Sequence, residues 1–503
     1  MKDWLSNPYI GLAALCTGIF LAALDQTVVV TALPTMILDL QIPYTRLNEA
    51  AWIVTAYLLG YTVAMPLFGR VSDVYGHRFV YLIALAVFEA GSLLCAVAPD
   101  LPWLVAARVV QAAGGGAVVP VTMAIAAGQF PRYKHPFVLG LIAAVAEAGG
   151  VVGPLYGAVL VERLGWRWIF YINVPLVLII AVMVLLACRK GSKAGGHVDY
   201  LGVAVIGLGL AALTIGLSQD AAAGNLVVTV SLLFAAFGLI AIFIALENRV
   251  DRPLIDLSMF RRVGFASGNG ANFLVGMALI TSMVNVPLFT ATVLQRPPLE
   301  GGLMLLRLTV AMPLGALVGG RLCQHVAYRS VASLGLAVTS FALFLTSQWN
   351  AGVSDFVLTR DLLLAGLGYG IVISPIASSV LHSAPSDKAG VASAMVTVMR
   401  MIGMMVGLSA LTSWGLGRFN TLMASVPLPL PSEGVGAEAL QRQMIEYQNM
   451  AFQAVMKVFN EIFIVAAMVC LVAIVPALLL RSQRDNPEQC AAGIATSTEG
   501  PLP

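Results

Sequence analysis

Four ionisable residues stand inside segments that otherwise read as hydrocarbon: Asp25, Arg108, Glu147 and Arg400. Asp25 interrupts Leu21-Ala22-Ala23-Leu24-Asp25-Gln26-Thr27-Val28-Val29-Val30. A carboxylate there is costly to keep charged, so its neutral form is favoured unless a cation or donors compensate. A group that gains and loses a proton as its access alternates is what coupling to a proton gradient requires. The competing reading is a carboxylate pinned to an Arg or to backbone for helix packing. Glu147, in Ala146-Glu147-Ala148-Gly149-Gly150, is a second protonation candidate. Arg108, three residues before Gln111, is a fixed cation; it keeps its proton and so tunes neighbouring carboxylates instead of shuttling. Arg400 is the one basic group deep in a late apolar segment and is expected to be the counter-ion of a carboxylate across a cavity. Arg307, Glu89, Asp361 and Glu461 are weaker candidates, expected to lie near interfaces, snorkelling or paired locally.

Two further constellations surround them. The loop Gly69-Arg70-Val71-Ser72-Asp73-Val74-Tyr75-Gly76-His77-Arg78 holds a carboxylate and guanidinium groups tightly between two apolar segments. Asp73, set between Gly69 and Gly76, and Arg78 just beyond them can latch one conformation, the carboxylate pairing with Arg and with the positive end of a neighbouring helix. In the fifth apolar segment Gly149, Gly153 and Gly157 fall on one helical face, with Pro154 beside them. Small residues at that spacing let two helices approach closely, and the proline loosens the helix at that level.

The elements that must position these groups are membrane spans. Of 503 residues 59% are apolar and 11% charged, against ~25% charged in ordinary soluble domains; mean hydropathy is +0.89. Each span needs roughly 20 apolar residues, and fourteen such runs occur, with helices forced by the need to pair every backbone group internally. Among them are residues 168–188, 299–320, 390–416 and 456–480. Alternate loops carry most of the Lys and Arg, so the positive-inside rule places both ends in the cytoplasm of a multi-pass protein. The expected location is a bacterial inner (plasma) membrane. The run through Asp25 continues too far, without a basic prelude or cleavage site, for a signal peptide. Gly320-Arg321-Leu322-Cys323-Gln324-His325-Val326-Ala327-Tyr328-Arg329 echoes the Asp73 loop, with Gln324 for Asp73 and Ala327 for Gly76, as duplicated transporter halves do. The expected organisation is an all-α bundle: a six-helix half at 1–188, an inserted helix pair with linkers at 189–262, and a second six-helix half at 263–481. An outer segment, 418–454, is expected to extend the last helices, and 482–503 to form a disordered cytoplasmic tail.

These motifs together resemble the major facilitator superfamily, and within it the fourteen-helix drug:proton antiporter-2 family. The likeness rests on Asp25-Gln26-Thr27 through Pro34, on Gly-x-x-x-Asp-x-x-Gly-x-Arg at residues 69–78, and on Arg108-x-x-Gln111. It also rests on the Gly149–Gly157 segment and on Trp166-Arg167-Trp168 through Asn173-Val174-Pro175. The Asp73 loop resembles the family's signature loop, and the span-five motif its antiporter motif; the family usually has Gly where Ala112 stands. Trp52–Tyr61, Gly153–Gly157, Asn285–Phe289 and Ser413–Asn420 are similar to the mycobacterial triacylglyceride and lipid exporter branch. That resemblance implies that Asp25, Glu147 and Arg400 form the coupling set, that outer helices are extended, and that a lipid enters sideways from the bilayer.

The expected function is thus a proton-coupled secondary transporter exporting hydrophobic or lipidic molecules by alternating access. The alternative is a multidrug/proton antiporter for amphipathic cations. A monomer among membrane lipids is expected, driven by a proton gradient and without a cofactor. Nucleic-acid binding lacks a basic stripe. An enzyme lacks a Ser-His-Asp set or a phosphate loop. The six cysteines show no metal or disulfide spacing and read as small hydrophobes.

Overall fold

The computed structural model describes residues 8–43, 47–131, 135–188, 199–218, 226–249, 257–384, 389–426 and 437–481. The expected tail from 482, the linker 191–197 and the side chains of Asp73 and Glu147 lie outside the described residues. Among the described residues, fourteen helices are long and apolar enough to cross a membrane. The first six are α1 (Pro8–Asp39), α2 (Trp52–Tyr75), α3 (His77–Ala96), α4 (Leu101–Gln129), α5 (His135–Leu164) and the span Trp168–Ala187, whose longer part is α6 (Asn173–Ala187). Then come α7 (Tyr200–Ser218) and α8 (Leu226–Glu247). The last six are α9 (Val263–Thr292), α10 (Pro298–His325), α11 (Tyr328–Thr346), α12 (Asp355–Ser383), α13 (Ala389–Met423) and α14 (Ala437–Leu478).

Local chemistry sets several boundaries. The Asp100 carboxylate accepts from the Trp103 backbone N–H at 2.9 Å and caps α4, with Pro102 in the first turn, where its missing N–H costs nothing. Asp199 starts α7 by accepting from the Gly202 N–H at 2.9 Å. The sixth span is broken: a single turn, Trp168–Tyr171, precedes α6, so Asn173 stands at a helix start inside the bundle. Several helices overrun their apolar segments. α10 continues to His325, α13 to Met423, and α14 runs unbroken from Ala437 for 42 residues. Hydropathy falls at the edge of the hydrocarbon, but the backbone ladder has no reason to stop there.

Helix packing repeats with a shift of eight. α1 packs on α5 and α9 on α13; α2 on α4 and α10 on α12; α3 on α4 and α11 on α12; α3 on α6 and α11 on α14. Even the turn that follows each first helix matches: Gln41 and Gln295 both adopt φ 51°. The α2–α3 turn and its counterpart differ in construction. Gly76, at φ 102° and ψ 127°, closes the first turn alone, a conformation that a Cβ would strain. In the α10–α11 turn Val326 and Ala327 are both extended, so alanine fits where the first turn needs glycine.

The two six-helix sets meet along two seams, α5 against α10 and α2 against α13, related by the same exchange. The face carrying the α2–α3 turn is called the near face below, and the opposite one the far face. In the first seam Thr309 donates to the Val151 carbonyl at 3.3 Å, and a Cβ at Gly302 would lie 2.9 Å from the Pro154 carbonyl, both toward the far face. α7 packs against α2 and α13 in the second seam and breaks the symmetry, while α8 stands outside it.

Candidate functional site

The buried polar centre of the first six helices is built around Asp25. Its Oδ2 accepts from Arg108 at 2.8 Å; its Oδ1 accepts from Gln111 at 2.9 Å and from Asn173 at 3.2 Å. Every one of these contacts is a donor, which suits an ionised carboxylate. Asp25 is 1% exposed, and Arg108 and Gln111 are fully buried. Arg108 and Gln111 are three residues apart on α4 and so share a face, and the Gln111 Oε1 accepts from Arg108 at 2.7 Å. The guanidinium also donates to the Ile53 carbonyl at 3.3 Å and lies 4.0 Å above the Tyr57 ring. Ser92 of α3 closes the network, accepting from Asn173 at 2.9 Å and from Gln111 at 3.2 Å, and donating to the Phe170 carbonyl at 3.1 Å. The break before α6 is what points Asn173 inward.

The counter-ion of Asp25 is therefore Arg108, within the same half. Arg400 of α13 is half-buried, on the helix that packs against α2 across the second seam. The structure does not bring it to Asp25. Gln26, beside Asp25, does reach α13, donating to the Met401 sulfur at 3.0 Å. The weaker candidates find local partners: Arg307 donates to Thr359 at 2.7 Å, and Arg418 forks onto Glu461 at 2.8 and 3.0 Å. Asp361, fully buried, accepts from the Trp349 indole at 3.0 Å and from Arg360 at 2.8 Å. Glu89 is the exception, with neither oxygen bonded to any group among the described residues.

In the signature loop, Arg78 donates to the Leu185 carbonyl at 2.6 Å and the Cys188 carbonyl at 2.8 Å, satisfying the open end of α6. Ser72 donates to the Gly69 carbonyl at 2.7 Å and meets His77 Nδ1 at 3.1 Å. A Cβ at Gly69 would sit an ordinary 3.6 Å from Pro120, so this glycine is not needed for space. The span-five glycines face α1: a Cβ at Gly149 would lie 2.5 Å from the Phe20 carbonyl, at Gly153 2.9 Å from that of Leu24, and at Gly157 2.6 Å from that of Val28. Thr27 spans the same contact, donating to the Gly150 carbonyl at 3.1 Å. Pro154 aims its own carbonyl at Gly302 of α10, so α5 touches α1 with one face and the other half with its next.

Two hollows adjoin this core. One, about 690 Å³, lies between α2, α7, α8 and α13, lined by Val63, Ile206, Phe243, Met395, Val398 and neighbours, with Arg261 as its single charged side chain. The other, about 450 Å³, lies between α1 and α5 and is lined by residues such as Leu12, Cys16, Phe20, Leu141 and Val145. No carboxylate is among the residues lining either.

Sequence reasoning identified Asp25, Arg108 and Gln111 but missed Ser92 and Tyr57 as parts of the centre, and read Asn173 only as part of a motif. A signal for Ser92 existed: it is the polar residue one turn beyond Glu89 in an otherwise apolar span.

Comparison with known proteins agrees with this architecture. The chain is 34% identical to a triacylglyceride transporter of Mycolicibacterium smegmatis, over 98% of this chain and 91% of that protein. It is 35% identical to a triacylglyceride transporter of Mycobacterium tuberculosis, over 95% and 96%. Among solved structures, a bacterial homologue of the human lysosomal transporter Spinster, inward-facing and occupied, superposes with a TM-score of 0.66 at 14% identity, covering 93% of this chain and 96% of that one. The human organic anion transporter MFSD10 superposes at 0.52 with 18% identity, covering 92% and 99%. The fold is that of a transporter, not of an enzyme. With the superfamily model matching residues 15–408, the chain belongs to the major facilitator superfamily.

Proposed function

We propose that this protein exports hydrophobic, lipidic molecules, triacylglycerides among them, by proton-coupled alternating access. The observation that carries the reading is the separation of charge from cargo space. Asp25 and Arg108 answer each other in the buried centre of the first half, while the two hollows have no carboxylate in their lining and are walled mostly by apolar side chains, with Arg261 the single charged one. A neutral lipid asks for no counter-charge, and its acyl chains match such walls. The names of the mycobacterial relatives point the same way.

The coupling step begins at Asp25. A proton on its carboxyl cancels the attraction for Arg108 and leaves Gln111 and Asn173 with a weaker acceptor. Breaking a buried pair is worth about 3–5 kcal/mol, and shifting a two-state equilibrium from one side to the other takes about 5.5 kcal/mol. One protonation therefore supplies most of the bias. The loosening reaches the seams because α1 packs on α5, which touches α10, and because Gln26 touches α13. Glu147 and Arg400 serve as a second protonation site and its counter-charge across the cavity. Gly69, Asp73, Gly76 and Arg78 act as the latch of one conformation. The near face is cytoplasmic, with both termini there, in a bacterial inner membrane; the working unit is the monomer, and a lipid enters sideways from the bilayer.

Proteoliposome transfer of a radiolabelled triacylglyceride, set beside ethidium efflux by the same preparation, tests the reading. Lipid movement that outpaces ethidium supports it. Ethidium efflux without lipid movement would replace it with the multidrug antiporter, whose cationic cargo calls for a carboxylate in the cargo space.

A further inference from the structure

The hollow between α2, α7, α8 and α13 has two unlike ends. Its deep wall is hydrocarbon, with Val63, Ile206, Ile240 and Met395 among the lining residues. Its other end carries Asn248, Ser258 and Arg261. Asn248 follows the last residue of α8, and Arg261 ends the short turn Leu257–Arg261 that leads into α9, so both stand at the near face. Ile240 is seven residues short of the end of α8, which puts about 10 Å of helix between that wall and the polar end.

The cation at this end is uncommitted. No hydrogen bond or ion pair engages the Arg261 side chain among the described residues, while its neighbour Arg262 donates to the Ser383 carbonyl at 2.8 Å. Arg249 is exposed at the same face but does not line the hollow. Of the described carboxylates at the near ends of α7 and α8, Asp199 caps α7 and Glu247 is buried, and neither lines the hollow. An apolar slot with one unanswered guanidinium at its mouth complements an anionic amphiphile. A neutral glyceride matches the walls and leaves Arg261 unpaired. The guanidinium fork matches phosphate oxygens two at a time, and the Asn248 amide supplies a further donor. The end of a membrane-length helix is also the depth at which phospholipid headgroups lie.

We infer that this hollow binds an anionic phospholipid of the near leaflet, with its phosphate on Arg261 and one acyl chain between α7, α8 and the second seam. The lipid is a resident and not cargo. It fills the space beside the contacts of α7 with α2 and α13, and so holds the inserted pair to the seam. A ligand that binds only this arrangement stabilises it by mass action. Such a site owes nothing to proton coupling, and its test involves no transport.

Photolabelling of the full-length protein in detergent tests it. The probe is phosphatidylglycerol with a diazirine at mid-chain, and the label is mapped by mass spectrometry. Label is expected on the buried Phe243 and Met395. Unlabelled phosphatidylglycerol should chase it, whereas phosphatidylcholine of the same chains and soluble glycerol phosphate should not. Arg261→Gln is expected to raise the chasing concentration about fivefold, the worth of one arginine at a headgroup, and Arg261→Lys by less, while Arg249→Gln leaves it unchanged. Ile240→Trp fills the slot from α8 with every arginine in place and is expected to abolish the Met395 label. Phosphatidylcholine chasing as well as phosphatidylglycerol would overturn the inference, as would equal shifts in Arg249→Gln and Arg261→Gln, the mark of a diffuse basic surface. Oleate or triacylglyceride chasing at lower concentration than phosphatidylglycerol would overturn it too, by assigning the hollow to a free fatty acid or to cargo. A Met395 label that persists in Ile240→Trp would place the lipid outside the hollow and refute the site.

Discussion

If the Asp25–Arg108 pair is the structural hinge of the first half, removing both charges must cost far less than the two single removals added together. Asp25→Asn keeps the shape but presents an amide donor to the Arg108 donor now 2.8 Å away. The stranded guanidinium retains the Gln111 oxygen, the Ile53 carbonyl and the Tyr57 ring. Its loss therefore sits at the low end of the range for a broken buried pair, about 3 kcal/mol. Arg108→Gln leaves a buried carboxylate with only Gln111 and Asn173 as donors, again about 3 kcal/mol or more. Additivity would put the double variant near 6 kcal/mol. The pair geometry predicts about 2 kcal/mol, the remaining cost being imperfect packing, and hence a coupling of about 4 kcal/mol, a little above the usual span for contacting residues. Equilibrium unfolding in mixed detergent micelles, run on all four proteins at one pH, measures this cycle. A double variant as unstable as the sum of the singles would refute the reasoning, because the two side chains would then contribute independently.

Other consequences follow from the same geometry. Gly149→Ala places a methyl 2.5 Å from the Phe20 carbonyl, whereas at Gly150 the nearest atom is 3.9 Å away; the first is expected to lose about 1–3 kcal/mol and the second almost nothing, read as unfolding midpoints of the two purified proteins. Arg78→Ala frees the Leu185 and Cys188 carbonyls at the end of α6 and is expected to cost about 1–3 kcal/mol, with hydrogen exchange rising first in that last turn. Trp349→Phe removes the indole donor of the buried Asp361 while keeping the aromatic packing on Phe289 and Phe463. A loss of about 1–3 kcal/mol is expected, and Trp349→Phe combined with Asp361→Asn should recover part of it.

The sequence carried the architecture well because the bilayer leaves so few options. Fourteen apolar runs became fourteen membrane-length helical spans among the described residues, the sixth of them broken, and the echo of the Asp73 loop at 320–329 marked a repeat that the packing displays. Boundaries were unevenly readable: the outer segment 418–454 was expected to extend the last helices, but nothing in hydropathy tells α10 to continue to His325, since beyond the hydrocarbon polar residues suit a helix as well as a loop. At the site, Asp25, Arg108 and Gln111 stood out as polar groups in apolar runs. Which cation would meet Asp25 did not, because pairing depends on helix rotation. Arg108 faces α1 only because α4 is turned that way, and Asn173 reaches Asp25 only through a break before α6 that composition does not announce. The orphaned Glu89 was likewise invisible, since having no partner is a property of the neighbourhood and not of the residue.

The most direct test of the coupling scheme follows protons and not lipid. Proteoliposomes loaded with a pH-sensitive dye, held without an imposed gradient and then given triacylglyceride on one side, should acidify or alkalinise as cargo moves. The account predicts a proton signal in the wild type that Asp25→Asn abolishes while lipid still binds. Lipid transfer that proceeds with no proton movement, or a proton signal that Asp25→Asn leaves intact, would contradict it.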